Sequence, residues 1–266
     1  MEKLTSILAV VPEGGAKGVL FDKVCRLVRQ CGARVELFLT APSDYSSVAA
    51  RCASLDCGVD IGFTLYDNVT PMGEAILNRA TEVHADLLVA PRAQTVLDRC
   101  PIPLLMLGKR PWAQELRFAT AVDVAEHDSE SLARAILHTG GFLSQRLMAH
   151  LDILYSEREI DDETLRMERA VKLARLIREF HVGGERLQAF DGPPEVTLPP
   201  LIAARRYDVL ILGTVPRHQA LLSAFQSVSR KLIRATDGDV LFITPAAGRA
   251  AAPVRRSAGQ QLAYQA

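Results

Sequence analysis

The segment from Tyr207 to Thr244 constrains the fold more than any other part of the sequence. It begins with a short apolar run, Val209 to Leu212, which is typical of a parallel strand that is covered on both faces. A second strand of this kind, Asp239 to Thr244, follows after a loop and a helix, and the hydroxyl of Ser227 is placed to cap that helix. A strand, a loop, a helix and a further strand in succession form a crossover unit, which predicts an α/β fold.

The rest of the chain alternates predicted strands and helices in the same way. In the first half, the hydrophobic pattern predicts strands at 6–11, 34–39, 59–65 and 87–90, and helices at 17–30, 46–56 and 72–83. In the second half, it predicts strands at 118–122, 149–155 and 186–189, and helices at 129–143, 161–180 and 198–205. This alternation implies a parallel sheet with helices on both faces, and its repetition implies two copies of one α/β unit.

The two copies differ in the connection between their last two strands. The corresponding segments are ADLLVAP at 85–91 with YDVLILG at 207–213, and PLLML at 103–107 with VLFIT at 240–244. From Asp86 to Pro103 is 17 positions, whereas from Asp208 to Val240 is 32, so the first copy is 15 residues shorter at this place. About a dozen residues are near the minimum for a parallel crossover, so we expect no phosphate-binding loop in the first copy.

The longer loop of the second copy leads into the start of a helix. The first amides of a helix have no partner within it and lie at its positive end, so such a loop can hold an anion such as phosphate. The alternative is that the loop and the capped helix only connect two strands, as in many crossover units of unrelated function.

This loop resembles the nucleotide-binding segment of the universal stress protein family. The family pattern is G-x2-G-x9-G-[ST], and its spacing places Gly213, Pro216, Gln226 and Ser227 at the four defined positions. The sequence RCPIPLLMLGKRPW at 99–112 also resembles the junction of the tandem, E-type members. The resemblance extends over nearly the whole chain outside its C-terminal tail.

The resemblance implies two tandem Rossmann-like domains of the adenine nucleotide alpha hydrolase-like type. Each would be a five-stranded parallel sheet with helices on both faces. The implied limits are 1–114 for a first domain without the nucleotide loop and 115–246 for a second domain with a degenerate loop; the small and polar residues of 247–266 predict a disordered tail. In the family, pairing uses the last strand of each unit, so we expect an internal pseudo-dimer, and a homodimer of the whole chain is a further expectation.

The resemblance also implies a ligand, ATP or another adenine nucleotide, in the second domain. Asp123, Val124 and the loop from Ala189 to Gly192 would line the adenosine side, although Asp123 could equally cap a turn or the next helix. The phosphate side would be formed by the residues from the end of the fourth strand to the start of the last helix: Gly213, Thr214, Arg217, Gln226, Ser227, Val228 and Ser229.

Two substitutions in the loop leave alternatives open. Pro216 has no amide hydrogen, and Gln226 adds a side chain where phosphate oxygens would pass close to backbone. Either the phosphate sits differently, with Arg217, Ser227 and Ser229 as donors, or the site is empty. The implied function is a stress-response regulator with one degenerate nucleotide site; the alternative is a scaffold that acts through protein contacts or an apolar ligand.

Composition and motifs limit the other classes of function. The chain carries 31 basic and 31 acidic residues, and this balance favours neither nucleic acid nor an anionic membrane as a partner. No run approaches the roughly 20 apolar residues of a membrane span, and the N-terminal run is too short for a signal peptide, which predicts a cytoplasmic protein. The five cysteines have no metal-ligand spacing and are expected to be reduced thiols. No G-x-S-x-G, H-E-x-x-H or lysine-bearing phosphate loop occurs, so we predict neither an enzyme nor a metal site.

Overall fold

The computed structural model describes residues 3–15, 18–55, 58, 60–92, 100–124, 129–157, 162–179, 186–213 and 231–244. Its strands are β1 (Ser6–Val11), β2 (Arg34–Leu39), β3 (Ile61–Leu65), β4 (Leu87–Pro91), β5 (Leu104–Leu107), β6 (Arg117–Val122), β7 (His150–Glu157), β8 (Arg186–Asp191), β9 (Val209–Gly213) and β10 (Asp239–Ile243). Its helices are α1 (Leu20–Cys31), α2 (Tyr45–Leu55), α3 (Met72–Glu82), α4 (Ser129–Leu147), α5 (Glu163–Glu179) and α6 (Pro194–Arg205). A 3-10 turn lies at Pro42–Asp44, and residues 231–235 are helical.

The ten described strands form one continuous sheet in the order β3-β2-β1-β4-β5-β10-β9-β6-β7-β8. Within the first strand group, β1 to β5, and within the second strand group, β6 to β10, all pairs are parallel. The groups meet where β5 runs antiparallel to β10, with Leu105 opposite Leu241. The expected contact between the last strands of the two halves is therefore present, and it places the carboxyl ends of the two groups at opposite edges of the sheet.

Apolar side chains alternate between the two faces of the sheet. On β1, Ile7 and Val11 belong to one core cluster, whereas Leu8 and Val10 belong to the other. The first cluster includes residues of α1, α2, α4 and α5, and the second includes residues of α3, α6 and the helical segment 231–235. The predicted fold class, a parallel α/β sheet with helices on both faces, is confirmed, and the two predicted five-stranded sheets are joined into one sheet of ten described strands.

Element limits differ from the predicted ones at several ends. The helix predicted at 198–205 begins earlier, at Pro194, because proline lacks only an amide hydrogen that has no partner in the first helical turn. Helix α4 continues past the predicted end at residue 143 to Leu147. The helix start predicted at Ser227 lies outside the described residues. In the described part of the chain, no helix has the length and apolar character needed to cross a membrane.

A buried ion pair joins the two strand groups. Lys23 on α1 places its Nζ 2.6 Å from Oδ1 of Asp239, the first residue of β10, and both side chains are almost fully buried. Asp239 also accepts hydrogen bonds from the amide of Gly108 and the indole of Trp112, both at 2.7 Å, and Lys23 donates to the Gly108 carbonyl at 3.2 Å. We call Lys23, Gly108, Trp112 and Asp239 the junction cluster.

Burial governs the ionisation of the junction cluster. Removal from water lowers the pKa of Lys23 and raises the pKa of Asp239, and the attraction between the two charges opposes both shifts. The two residues are 216 positions apart, so sequence periodicity alone could not pair them.

The prediction of reduced thiols is wrong for one described cysteine. Cys25 on α1 is disulfide-bonded, whereas Cys31, Cys52 and Cys100 are free thiols. Cys57 lies outside the described residues. Sequence spacing failed here because disulfide formation depends on which cysteines the crossovers bring together in space.

Candidate functional site

The carboxyl ends of β6 and β9 lie side by side where the winding of the second strand group reverses. From β6 the chain passes through α4 to β7 on one side, whereas β9 pairs with β6 on the other side. Ligands of open α/β sheets bind outside the carboxyl ends of the strands at such a switch point. Asp123 directly follows β6 and Gly213 ends β9, so these two predicted site residues flank the switch point.

Val124 anchors the turn that carries Asp123. The side chain of Val124 is 1% exposed and lies in the core cluster beneath α4 and α5. Its carbonyl accepts a hydrogen bond from Nζ of Lys172 at 3.3 Å. Asp123 is exposed, and a carboxylate held at the sheet edge can accept hydrogen bonds from a ligand as readily as from a turn.

Lys172 on α5 is a cation at this edge that sequence analysis missed. It lies 3.6 Å from Glu130 on α4, which also binds Arg134 at 2.8 Å and Arg175 at 2.9 Å. The hydrogen bond from Arg134 holds the pKa of Glu130 below its ordinary value. One lysine among the many charges of α5 carries no distinguishing signal in sequence, and only the packing of α5 on α4 brings it to Val124.

The predicted adenosine-side loop ends in a well-defined turn at Gly192. Gly192 has a φ of +117°, which L side chains rarely adopt, and a Cβ there would approach Cγ2 of Thr197 to 3.0 Å. The hydroxyl of Ser156, on β7, donates to the Gly192 carbonyl at 2.7 Å and lies 2.6 Å from the Thr197 hydroxyl. Ser156 was missed, although a hydroxyl near the carboxyl end of a buried strand was a usable signal.

Gly213 is explained by the packing of α4. A Cβ at this position would lie 2.6 Å from Cδ2 of Leu132 and 2.8 Å from Cδ1 of Ile136. The packing of α4 therefore favours glycine at the first position of the loop pattern, because a Cβ would force the Leu132 and Ile136 side chains to shift, whether or not a phosphate lies nearby.

The remaining predicted site residues lie outside the described part of the chain. These are the loop and helix-start residues of the proposed phosphate side: Thr214, Arg217, Gln226, Ser227, Val228 and Ser229. Their contribution to a site stays a prediction. Among the described residues, no group of three or more His, Cys, Asp or Glu side chains could hold a metal ion.

The corresponding edge of the first strand group is arranged differently. There the amide of Gly14, in the loop after β1, donates to Oδ2 of Asp44 at 2.6 Å. At the switch point between β1 and β4, the Asp44 carboxylate thus accepts the hydrogen bond that the Gly14 amide could otherwise donate to a ligand. The connection from β4 to β5 has 12 residues (92–103), whereas that from β9 to β10 has 25 (214–238). The shorter connection is in the first half, as predicted from sequence.

Comparison with known proteins adds one curated relative and several structures. No family model matches the chain. The chain is similar to the universal stress protein E homolog of Haemophilus influenzae, with 22% identity over 177 residues that cover 60% of this chain and 57% of the relative. The matched region thus spans little more than half the length of the relative.

Two solved structures are similar over most of the chain. A universal stress protein from Pseudomonas aeruginosa UCBPP-PA14 has a TM-score of 0.77 at 18% identity, covering 92% of this chain and 95% of that chain. The cytoplasmic domain of a prokaryotic cation chloride cotransporter has a TM-score of 0.60 at 14% identity, covering 92% of this chain and 96% of that chain. Identities this low show the fold alone, and the second structure illustrates that one fold serves proteins of different function.

The fold and the switch-point edge define a Rossmann-like α/β protein. The sequence match and the loop spacing from Gly213 to Ser227 are a second likeness to universal stress proteins, and neither depends on the sheet order. The chain is thus similar to universal stress proteins in part of its sequence and in its fold.

Proposed function

We propose that this chain is a tandem, E-type universal stress protein that regulates a stress response through one degenerate adenine-nucleotide site. The proposed domains are 1–114, without a nucleotide loop, and 115–246, with the site, followed by a tail at 247–266. The observation that supports this proposal best is the convergence of Asp123, Gly192 and Gly213 on the carboxyl edge of the second strand group.

The described edge suits the adenosine part of a nucleotide. The exposed carboxylate of Asp123 can accept hydrogen bonds from ribose hydroxyls or from the adenine amino group. ATP is the proposed ligand, with its phosphates directed toward the loop that follows Gly213. There Arg217, Ser227 and Ser229 are the proposed donors, since a helix start and charge-assisted bonds both favour anions.

The proposed role is ligand sensing and not turnover. The sequence has no nucleophile with an assignable base in any of the patterns that hydrolases use. We also propose a cytoplasmic location, no nucleic-acid or membrane partner, and an internal pseudo-dimer that can pair further into a homodimer.

A scaffold without nucleotide is the second candidate function. The packing of Gly213 against Leu132 and Ile136 favours it, because the glycine then requires no phosphate. Pro216 and Gln226 favour it as well, since both change positions at which the family pattern has glycine. In this case the protein acts through protein contacts or an apolar ligand.

Calorimetric titration with ATP, ADP and AMP, with and without magnesium, distinguishes the two. We expect about one equivalent to bind, and Asp123→Asn to weaken binding by about tenfold, or roughly 1.4 kcal/mol. Glu13→Gln is the matched control, because Glu13 is an exposed carboxylate at the corresponding edge of the first strand group. Mass spectrometry of ligands released on denaturation gives an independent readout.

The outcomes are separable. Binding that Asp123→Asn weakens and Glu13→Gln leaves unchanged supports the nucleotide site. Equal weakening by both variants would contradict the assignment of the site to the second strand group. If titration gives no heat and no nucleotide is released, the scaffold function is supported instead. Any apolar molecule in the released fraction would then be its candidate ligand.

A further inference from the structure

Helix α5 carries an apolar strip in addition to the residues that pack on the sheet. Leu173 and Leu176 are buried in the core cluster, as expected for a helix that covers a sheet. Another side of the helix presents four exposed apolar side chains at i, i+3, i+4 and i+7: Met167, Ala170, Val171 and Ala174. Residues at this spacing lie on one face of a helix, so the four form a continuous strip, which we call the α5 stripe.

The neighbours of α5 contact other sides of this helix. Towards α4, Arg175 donates to Glu130 at 2.9 Å, and Glu179 accepts from Arg134. Towards the sheet, the buried leucines join the core cluster. The α5 stripe belongs to neither of these sides, so it faces away from the core and away from α4.

The α5 stripe lies at an open edge of the described fold. Met167 is 64% exposed and Val171 is 63% exposed. Helix α5 precedes β8, the last strand in the sheet order, where Leu187 pairs with Ile153 and is 48% exposed. Single exposed apolar residues are common, but a continuous group of them marks an interaction surface.

The α5 stripe is complementary to itself when two copies of the helix run antiparallel. Its midpoint lies between Ala170 and Val171, and Met167 and Ala174 lie at equal distances on either side, three residues farther out. A two-fold axis at this midpoint therefore places each methionine opposite an alanine, and each valine opposite an alanine. Large side chains then face small ones, which lets the two helices approach closely along the whole stripe.

The ends of the stripe carry opposite charges that fit the same arrangement. Glu163 lies one turn before the stripe and Arg178 one turn after it, each seven residues from the central pair. Both side chains are exposed, and neither makes a hydrogen bond or ion pair with another described residue. In the antiparallel pair, each carboxylate faces a guanidinium at both ends. We propose that two copies of this chain associate through their α5 stripes, antiparallel about a two-fold axis between Ala170 and Val171.

The proposed contact specifies the surface of the homodimer that the proposed function includes, and it does not involve the nucleotide site. Helix α5 has 17 residues and is about 25 Å long, so a contact between two such helices is small for a protein interface. We therefore expect a dimer that forms at concentrations on the order of micromolar and dissociates on dilution. The internal contact between β5 and β10 uses strand edges, so it is compatible with a contact between helix faces.

Sedimentation velocity of the whole chain, without nucleotide, tests the surface. Val171→Glu places two carboxylates beside the two-fold axis and should weaken dimerisation by about a hundredfold, because like charges would meet in the contact. Val196→Glu is the matched control: Val196 is 62% exposed, close to Val171, but lies on α6, which packs on the other face of the sheet. This control should leave the dissociation constant unchanged.

Exchange of the end charges tests the antiparallel pairing. Glu163→Arg and Arg178→Glu should each weaken dimerisation by about tenfold, because both end contacts change from attraction to repulsion. An equimolar mixture of these two variants should dimerise like the wild type. In the mixed dimer, one copy carries cations at both ends of its stripe and the other carries carboxylates at both ends.

Three results would overturn the proposal. These are a wild-type chain that stays monomeric up to about 100 μM, a dimer that Val171→Glu weakens no more than Val196→Glu, and a mixture of the two charge variants that dimerises no better than either alone. Far-ultraviolet circular dichroism checks that each variant is folded, and if Val171→Glu does not fold, the mixing experiment still decides. Because no nucleotide is present, failure of this test leaves the nucleotide site untouched, and failure of the nucleotide titration leaves the helix contact untouched.

Discussion

Replacing Lys23 by methionine should destabilise the protein severely, because it leaves a carboxylate buried without its cation. Asp239 is 0% exposed, and Lys23→Met would leave it with only the Gly108 amide and the Trp112 indole as donors. The methionine retains most of the volume of the lysine stem, so the cost reports mainly on charge.

The magnitude follows from the burial of both partners. Removing one member of a buried ion pair typically costs about 3–5 kcal/mol, which is a large part of a domain stability of about 5–15 kcal/mol. Lys23→Met combined with Asp239→Asn removes both charges, but the single amide oxygen of asparagine replaces only one of the two oxygens that accept from Gly108 and Trp112. We therefore expect the double variant to lose only about 1–3 kcal/mol, less than Lys23→Met alone.

The assay is urea unfolding followed by two signals. Trp112 is the only tryptophan in the chain, so its fluorescence reports on the junction cluster, while far-ultraviolet circular dichroism reports on the whole fold. Arg26→Met is the control on the same helix; it loses hydrogen bonds to linker carbonyls at the surface and should cost about 1 kcal/mol. The reasoning is refuted if Lys23→Met costs no more than Arg26→Met, or if the double variant is as unstable as the sum of the single ones.

Two further substitutions test local packing and ionisation. Gly213→Ala should cost about 1–3 kcal/mol in urea unfolding through its clash with Leu132, whereas Gly73→Ala on α3, where no heavy atom lies within 4 Å of an added Cβ, should be neutral or stabilising; equal effects would contradict the packing account. Burial and the 2.7 Å hydrogen bond to Asp152 raise the pKa of Tyr207, so its stabilisation is complete below the unfolded value near 10 and declines as pH rises above it. The difference in free energy of unfolding between wild type and Tyr207→Phe should therefore become smaller above about pH 10. A difference that does not change with pH would contradict this account of Tyr207.

Strand positions could be predicted because buried strands have recognisably apolar sequences. Central strands of a parallel sheet are covered on both faces and read as continuous apolar runs, as Val209 to Leu212 does. Helix limits were less certain: α6 contains Pro199 and Pro200, and its start at Pro194 depends on how the turn after β8 enters the helix. Local pattern therefore fixed the elements and their order better than their ends.

The site was predictable only where it follows strand ends. Asp123 and Gly213 could be placed because each directly follows a recognisable strand. Ser156 lies near a strand end and could have been found in the same way, whereas Lys172 could not, because its position depends on α5 packing against α4. The physical reason for Gly213 could not be told from sequence, because a helix contact and a phosphate contact both favour the same small residue.

Cations from the first strand group bind backbone carbonyls that flank β9 and β10. Arg92, directly after β4, donates to the carbonyls of Thr236 and Gly238 at 2.8 and 2.6 Å. Arg110, after β5, donates to the carbonyl of Arg206 at 2.9 Å. The carbonyls of Thr236 and Gly238 lie between the helical segment 231–235 and β10, and the carbonyl of Arg206 lies between α6 and β9. Positive charge is favourable at such helix ends.

This arrangement gives the first strand group a structural role in holding the second strand group. Its cations bind carbonyls just before the amino ends of β9 and β10, so these two strands are held in part by residues of the first strand group. The proposed limits 1–114 and 115–246 therefore describe two repeats that are not independent in stability, because separating them would leave Asp239 buried without Lys23, or exposed with its apolar neighbours.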